Sequence, residues 1–257
     1  MKFARNLLVA STLLILLAGC FSPAPVNPGG AGTNAPAAPS EPATVESLAF
    51  NASGLLGGTA APSFGDGDPG EVSVVSIGAL VKPGYGSATL LFAFRNNTPA
   101  AIAHVDWIGT ARADGAMVAT GSSQGTIPAQ VAPGEVGLAY IYFENGDSIP
   151  EGAEYEFEVE TSPADMSFYN SAPLRVTEAN VVGDSIVGAA TNDTGAEVTG
   201  PYSVQIFCFD GDALIGHSLS FAEQDGDLEP DHTATFSVSL YDDPCPTFAV
   251  GVDGYFS

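Results

Sequence analysis

The 257-residue chain sets 30 acidic residues against six Lys and Arg, a formal net charge of −24 at pH 7. A field of that sign repels nucleic acid and anionic lipid headgroups and attracts cations and basic partners, so nucleic-acid binding is excluded as a function class. Paired carboxylates abound because the protein is acidic throughout, and their number alone does not point to a glycosidase.

In chain order, Lys2 and Arg5 precede an apolar run from Leu7 to Ala18, the layout of a secretory signal. The run is too short to span a bilayer as a helix. It ends in Leu17-Ala18-Gly19-Cys20, which resembles the lipobox of bacterial lipoproteins. The resemblance implies cleavage after residue 19 and diacylglycerol on the Cys20 sulfur. Each buried methylene contributes about 0.8 kcal/mol, and two or three acyl chains anchor stably where one does not. Phe21 stands where many Gram-negative lipoproteins carry the aspartate that signals inner-membrane retention, which favours the outer membrane in a diderm. The expected address is therefore the cell membrane or outer membrane, lipid-anchored through Cys20 and facing the periplasm or exterior. Cleavage leaves four cations, Lys82, Arg95, Arg112 and Arg175, against 30 acidic residues, a net charge of −26.

Residues 20–45 are rich in Pro, Ala and Gly and hold almost nothing that could pack a core, so they read as a disordered tether. Beyond them come short runs of Val, Ile, Phe, Tyr and Thr bounded by Gly, Pro, Asn and Asp, with no long helical period. This predicts an all-β chain. Strands are expected at 71–80, 87–95, 104–113, 116–123, 136–143 and 154–160, then at 173–181, 185–190, 202–209, 213–220, 234–240 and 247–253.

The two halves read as copies of one unit. Asn96-Asn97-Thr98 precedes Asp114-Gly115 at the same 18-residue interval that separates Asn192-Asp193-Thr194 from Asp210-Gly211. Pro133-Gly134 and Pro230-Asp231 then correspond, as do residues 155–159 and 248–252. Asn-x-Thr marks the turn after each second strand, Asp-Gly a hairpin, and Pro-Gly or Pro-Asp a later turn. Strands and turns at this spacing predict two tandem immunoglobulin-like β-sandwiches, at 46–165 and 170–257.

Within the second copy, Ile186-Val187-Gly188-Ala189-Ala190-Thr191-Asn192-Asp193-Thr194, the stretch from Val204 to Gly216, Leu228-Glu229-Pro230 and the closing Phe248 to Tyr255 resemble the FxLYD domain. Asp231 replaces that family's usual turn Gly, and Phe209 its usual Tyr. The first copy is similar through Asn96, Asp114-Gly115 and Pro133-Gly134. The resemblance implies an extracytoplasmic module of prokaryotic lipoproteins, and it brings no catalytic residue.

Several groups could carry chemistry. Cys208 and Cys245 form an even pair once Cys20 is lipidated: either a disulfide in an exported domain or two buried thiols. Two loops alternate carboxylates, Asp66, Asp68 and Glu71 in one and Asp225, Asp227, Glu229 and Asp231 in the other. Either they converge on calcium or they are solvated turns; neither has the EF-hand spacing. His104, His217 and His232 lack zinc-site spacing and read as surface or rim residues, His232 beside Asp231 being the least implausible ligand. No Gly-x-Ser-x-Gly elbow, Ser-x-x-Lys pair or phosphate cradle occurs. Trp107 reads as core, and so does the face shared by Leu138, Tyr140 and Tyr142. The expectation is a non-enzyme without cofactor, calcium being the one candidate. Its expected role is binding, adhesion or envelope assembly with a protein of the envelope or exterior, against the alternatives of a solute- or calcium-binding lipoprotein and a passive spacer.

Overall fold

Residues 45–257, Asp242 excepted, are described by a computed structural model. The expected secretory signal, Cys20 and the expected tether up to residue 44 lie outside the described residues. The chain order is β1 (Gly57–Gly58), β2 (Val72–Val81), β3 (Ala88–Asn96), β4 (Ile102–Ala113), β5 (Ala116–Ile127), β6 (Gln130–Val131), β7 (Val136–Phe143), β8 (Glu154–Pro163), β9 (Ser171–Val182), β10 (Ser185–Thr191), β11 (Val198–Asp210), β12 (Ala213–Phe221), β13 (Thr233–Ser239) and β14 (Thr247–Phe256). Every expected strand is present to within a few residues at its ends. The two-residue strands β1 and β6 were not expected, since two residues show no alternation.

The repeat is visible in the pairing. In the first copy β3 pairs with β2 and β7, while β4 pairs with β5 and β8. In the second, β10 pairs with β9 and β13, while β11 pairs with β12 and β14. Each copy is thus two antiparallel three-stranded sheets enclosing a core, an immunoglobulin-like sandwich. The seam between sheets differs. β5 runs from β4 on to β7 in the first sandwich, whereas β9 runs from β14 on to β10 in the second.

The shared Asn turns agree atom for atom. Asn96 is fully buried; its Nδ2 donates to the carbonyls of Ala100 and Val131, and its Oδ1 accepts from the backbone N–H and hydroxyl of Thr98. Asn192, equally buried, donates to Ala196 and Leu228 and accepts from the same two groups of Thr194. The positive-φ residue of the later turn, Gly134 or Asp231, donates its N–H to the Asn carbonyl in both copies. The Asn side chain therefore clamps the turn onto β6, or onto the Val198–Leu228 bridge that takes its place. Replacing Asn96 or Asn192 by Ala removes four hydrogen bonds at each turn and leaves the N–H of Thr98 or Thr194 without its acceptor. A loss of about 2 kcal/mol is expected for each in urea unfolding.

The hairpins agree less closely than their shared spacing predicts. The first turns on Asp114-Gly115, both at positive φ, between paired Ala113 and Ala116; the second turns on Gly211-Asp212, between paired Asp210 and Ala213. Gly211 occupies the first central position, so Asp210 stays in the strand and the second hairpin lies one residue later.

Among the described residues three cores are present. Phe92, Phe94, Trp107 and Ile141 are among the residues filling the first sandwich; Tyr202, Val204, Ile206, Phe236 and Val250 are among those filling the second. The third lies between the sandwiches. Leu91 and Ala93 of β3 and Leu138 and Tyr140 of β7 meet Phe207 and Phe209 of β11, Leu214 of β12 and Ala249 of β14. These residues alternate along their strands with inner-core residues, so the central sheets are buried on both faces. Glycines permit the close approach. A Cβ on Gly78 would meet Leu214, and one on Gly251 would meet Ile127.

Residues 45–64 bind the two sandwiches together. Phe50, Leu56, Ala60 and Phe64 join the third core, and β1 adds to β14 of the second sandwich. Arg95, on the outward row of β3 and 3% exposed, donates to the carbonyls of Leu48, Gly65 and Gly134. Arg175 donates to the carbonyls of Ser53 and Gly54 and pairs with Asp193. The first of these arginines belongs to the first sandwich, the second to the second.

Candidate ligand cleft

The contact between sandwiches is apolar at one end and open at the other. Along β11 the outward row reads Ser203, Gln205, Phe207, Phe209, turning from polar to aromatic as it enters the third core. At the polar end the facing sheets part around a cleft of about 380 Å³. The second sandwich supplies Ser203 and Gln205, Leu219 and Phe221 of β12, and Asp253 and Tyr255 of β14. The first supplies His104 and Asp106 of β4 and Gln124, Gly125 and Thr126 of β5.

Asp253 is the chemically unusual group. Its Oδ1 is buried without a hydrogen-bond partner, and desolvation pushes its carboxyl up to about 7. Thr126 adds a second buried oxygen without a partner, its Oγ1. Buried polar atoms in native proteins are nearly always satisfied, so two orphans on opposite walls of one cleft are a site-level feature. His104 stands at positive φ where the pairing of β4 with β8 shifts between Ala103 and Asp106, a strained conformation for a non-glycine residue.

Behind Gln205 the cleft ends in an aromatic stack. His217 packs against Tyr140 and Phe207, with ring centroids 4.2 and 4.8 Å away, and its Nε2 lies 3.4 Å from Gln205 Oε1. Burial drives its pKa down to about 4, so the ring is neutral. At the mouth, Tyr255 begins an aromatic ladder that continues through Tyr169 to Phe168, both largely exposed.

The residues singled out from sequence fall elsewhere. All seven acidic side chains of the two loops are exposed, and among the described residues no group of three or more His, Cys, Asp or Glu gathers as a metal site. The loops act through their main chain: Asp66 and Asp68 offer carbonyls to Asn97, and Gly226 offers its carbonyl to the Tyr202 hydroxyl. Cys208 and Cys245 form a disulfide across 4.8 Å of Cα separation, fastening the loop before β14 to β11. His104 and His232 are exposed.

His217 is half-buried, turned by β12 towards Tyr140 of the first sandwich. Tyr142 is 39% exposed and does not join Tyr140 in the core, since the β11 sheet covers only part of β7. Trp107 lies in the first core, 2% exposed. Among the described residues no helix is long and apolar enough to cross a membrane.

The cleft residues were missed because no catalytic or ligand-binding motif includes Asp253, Gln205 or Ser203, and the FxLYD-like stretches that hold Gln205 and Asp253 assign them no role. Their signal is positional: polar side chains on one alternate row of strands whose same row elsewhere is apolar. No family model matches the chain, and no curated protein is a significant match.

Proposed function

We propose that this is an exported, lipid-anchored, non-enzymatic binding protein whose two sandwiches act as one rigid body and take a ligand in the cleft at their junction. The observation that carries the reading is the unpartnered, buried carboxyl oxygen of Asp253 in that cleft. A passive spacer has no use for such a group, which costs stability when the cleft is empty. The cleft also has the size typical of small-molecule sites, and Leu219 and Phe221 give its polar lining an apolar side.

The lipobox-like Leu17-Ala18-Gly19-Cys20 supports the membrane address, facing the periplasm or exterior. The FxLYD-like pattern supports an extracytoplasmic module, and the matching Asn96 and Asn192 clamps support a repeated unit of that kind. The net charge speaks for basic partners from the envelope or exterior over nucleic acid.

Two measurements test the reading. Expressed in a bacterial host, the full chain should partition with membranes, and Cys20→Ala should move it to the soluble fraction; membrane retention of that variant would overturn the anchor. Native mass spectrometry of the protein extracted from membranes should show a small molecule that is absent from Ser203→Trp, which fills the cleft. Identical spectra with unchanged melting would remove the cleft as the binding site.

A further inference from the structure

We infer that the cleft selects a small organic cation, an amine or guanidine whose charged head is seated at Asp253. This rests on the binding reading above and adds the ligand's chemical class.

The lining decides the sign of the ligand. The titratable side chains around the cleft are Asp253, Asp106, His104 and Tyr255, with neutral His217 behind Gln205. Among the described residues neither Lys nor Arg lines the cleft, and the mature chain carries four such cations against 30 acids. An anion entering here would meet two carboxyls and no fixed positive charge.

A bare metal ion is also poorly served. Hard cations take six or more oxygen ligands with several carboxylates, and no such group gathers among the described residues.

An organic cation meets both needs of the site. Its N–H groups donate to the orphan Oδ1 of Asp253 in a charge-assisted bond, roughly twice as strong as a neutral one. Thr126 Oγ1 and Ser203 offer further acceptors around the head. Phe221 and Tyr255 supply faces that attract a cation and cover its carbon skeleton. Approach of the positive charge also draws the Asp253 carboxyl into its ionised form, so the group that is costly when the cleft is empty becomes the main source of affinity when it is filled.

The test is calorimetric titration of the full-length protein in detergent with agmatine and 1,4-diaminobutane, alongside glucose, succinate and calcium chloride. Amine or guanidine should bind and raise the melting temperature. Asp253→Asn should weaken binding by about tenfold or more. Phe221→Ala should weaken it by several-fold while leaving melting in the absence of ligand nearly unchanged.

A short lysine peptide distinguishes a free amine from a side chain presented by a protein: tighter binding of the peptide assigns the head group to a protein partner. The inference is overturned by absence of amine binding, or by amine binding indifferent to Asp253→Asn. It is equally overturned by binding of glucose alone that Ser203→Trp abolishes, a result that would leave the cleft standing as a binding site. Co-purification and titration that are both unaffected by Ser203→Trp would sink the cleft reading itself.

Discussion

Arg95→Met is expected to cost about 3 kcal/mol of stability and to release residues 45–64 to protease. Arg95 donates to three carbonyls at 2.6, 2.8 and 3.0 Å and more weakly to that of Phe64 at 3.5 Å, and Leu48, Phe64 and Gly65 belong to or border the segment that binds the sandwiches together. Hydrogen bonds from a charged donor contribute about 1.5–3 kcal/mol each. Their sum is reduced by the desolvation that burying the guanidinium costs, which Met removes; burial lowers the Arg95 pKa from its ordinary value, with the nearby Asp66 charge opposing. Gly134 keeps the Leu48 N–H as donor, so the loss falls on Leu48, Phe64 and Gly65. Arg95→Lys should recover only part of the loss, because a point-like ammonium cannot address three diverging carbonyls. Urea unfolding with limited proteolysis checks this. A variant as stable and as protease-resistant as the parent would mean that the apolar contacts of Phe50, Leu56 and Phe64 hold the segment unaided.

Most of the fold was legible because each sandwich follows local rules. Alternation places Tyr155, Phe157 and Val159 of β8 towards the core and Glu154, Glu156, Glu158 and Glu160 towards solvent, and that pattern stands in the sequence. The Asn turns were legible for a similar reason, since a buried side-chain amide clamping a fixed loop needs the same residues at the same spacing twice. The stacking of one sandwich on the other was harder to read. Its trace is the loss of alternation in Leu90-Leu91-Phe92-Ala93-Phe94 and in Ile206-Phe207-Cys208-Phe209, where both faces of the strand are apolar. Taken strand by strand, such runs look merely hydrophobic. Taken together, they call for a second sheet on the outer face, and that sheet is the neighbouring copy. The cleft follows from the stacking, because Gln205 and Asp253 acquire meaning only when a second wall stands opposite them. The acidic loops attracted notice through composition, yet hydrogen bonding there runs through backbone carbonyls, which composition does not report.

Between pH 4 and 6.5 the junction contains two titrations that oppose each other, and single variants should expose each. Asp253 has a folded pKa near 7 against 3.8 unfolded, so in this window the folded state holds the extra proton and stability falls as pH rises. His217 has a folded pKa near 4 against 6.5 unfolded, so the unfolded state holds the extra proton and stability rises with pH. Each contributes a slope of at most about 1.4 kcal/mol per pH unit, of opposite sign, and the two nearly cancel. Asp253→Asn removes the falling limb. Relative to the parent it should gain about 2 kcal/mol between pH 4 and pH 7.5, a figure kept below the full shift because solvent reaches the cleft. His217→Gln loses the ring stacked on Tyr140 and Phe207, so it should be less stable than the parent at pH 7. That deficit should narrow by a similar amount as pH falls to 4, because the parent alone must then protonate a buried imidazole. Urea midpoints for the parent and both variants across pH 4 to 7.5 measure the two slopes. Parallel curves for parent and Asp253→Asn would mean that the carboxyl titrates normally in solution and that the cleft is wetter than its geometry indicates, whereas divergence above pH 4 would establish a carboxyl held in reserve until a cation arrives.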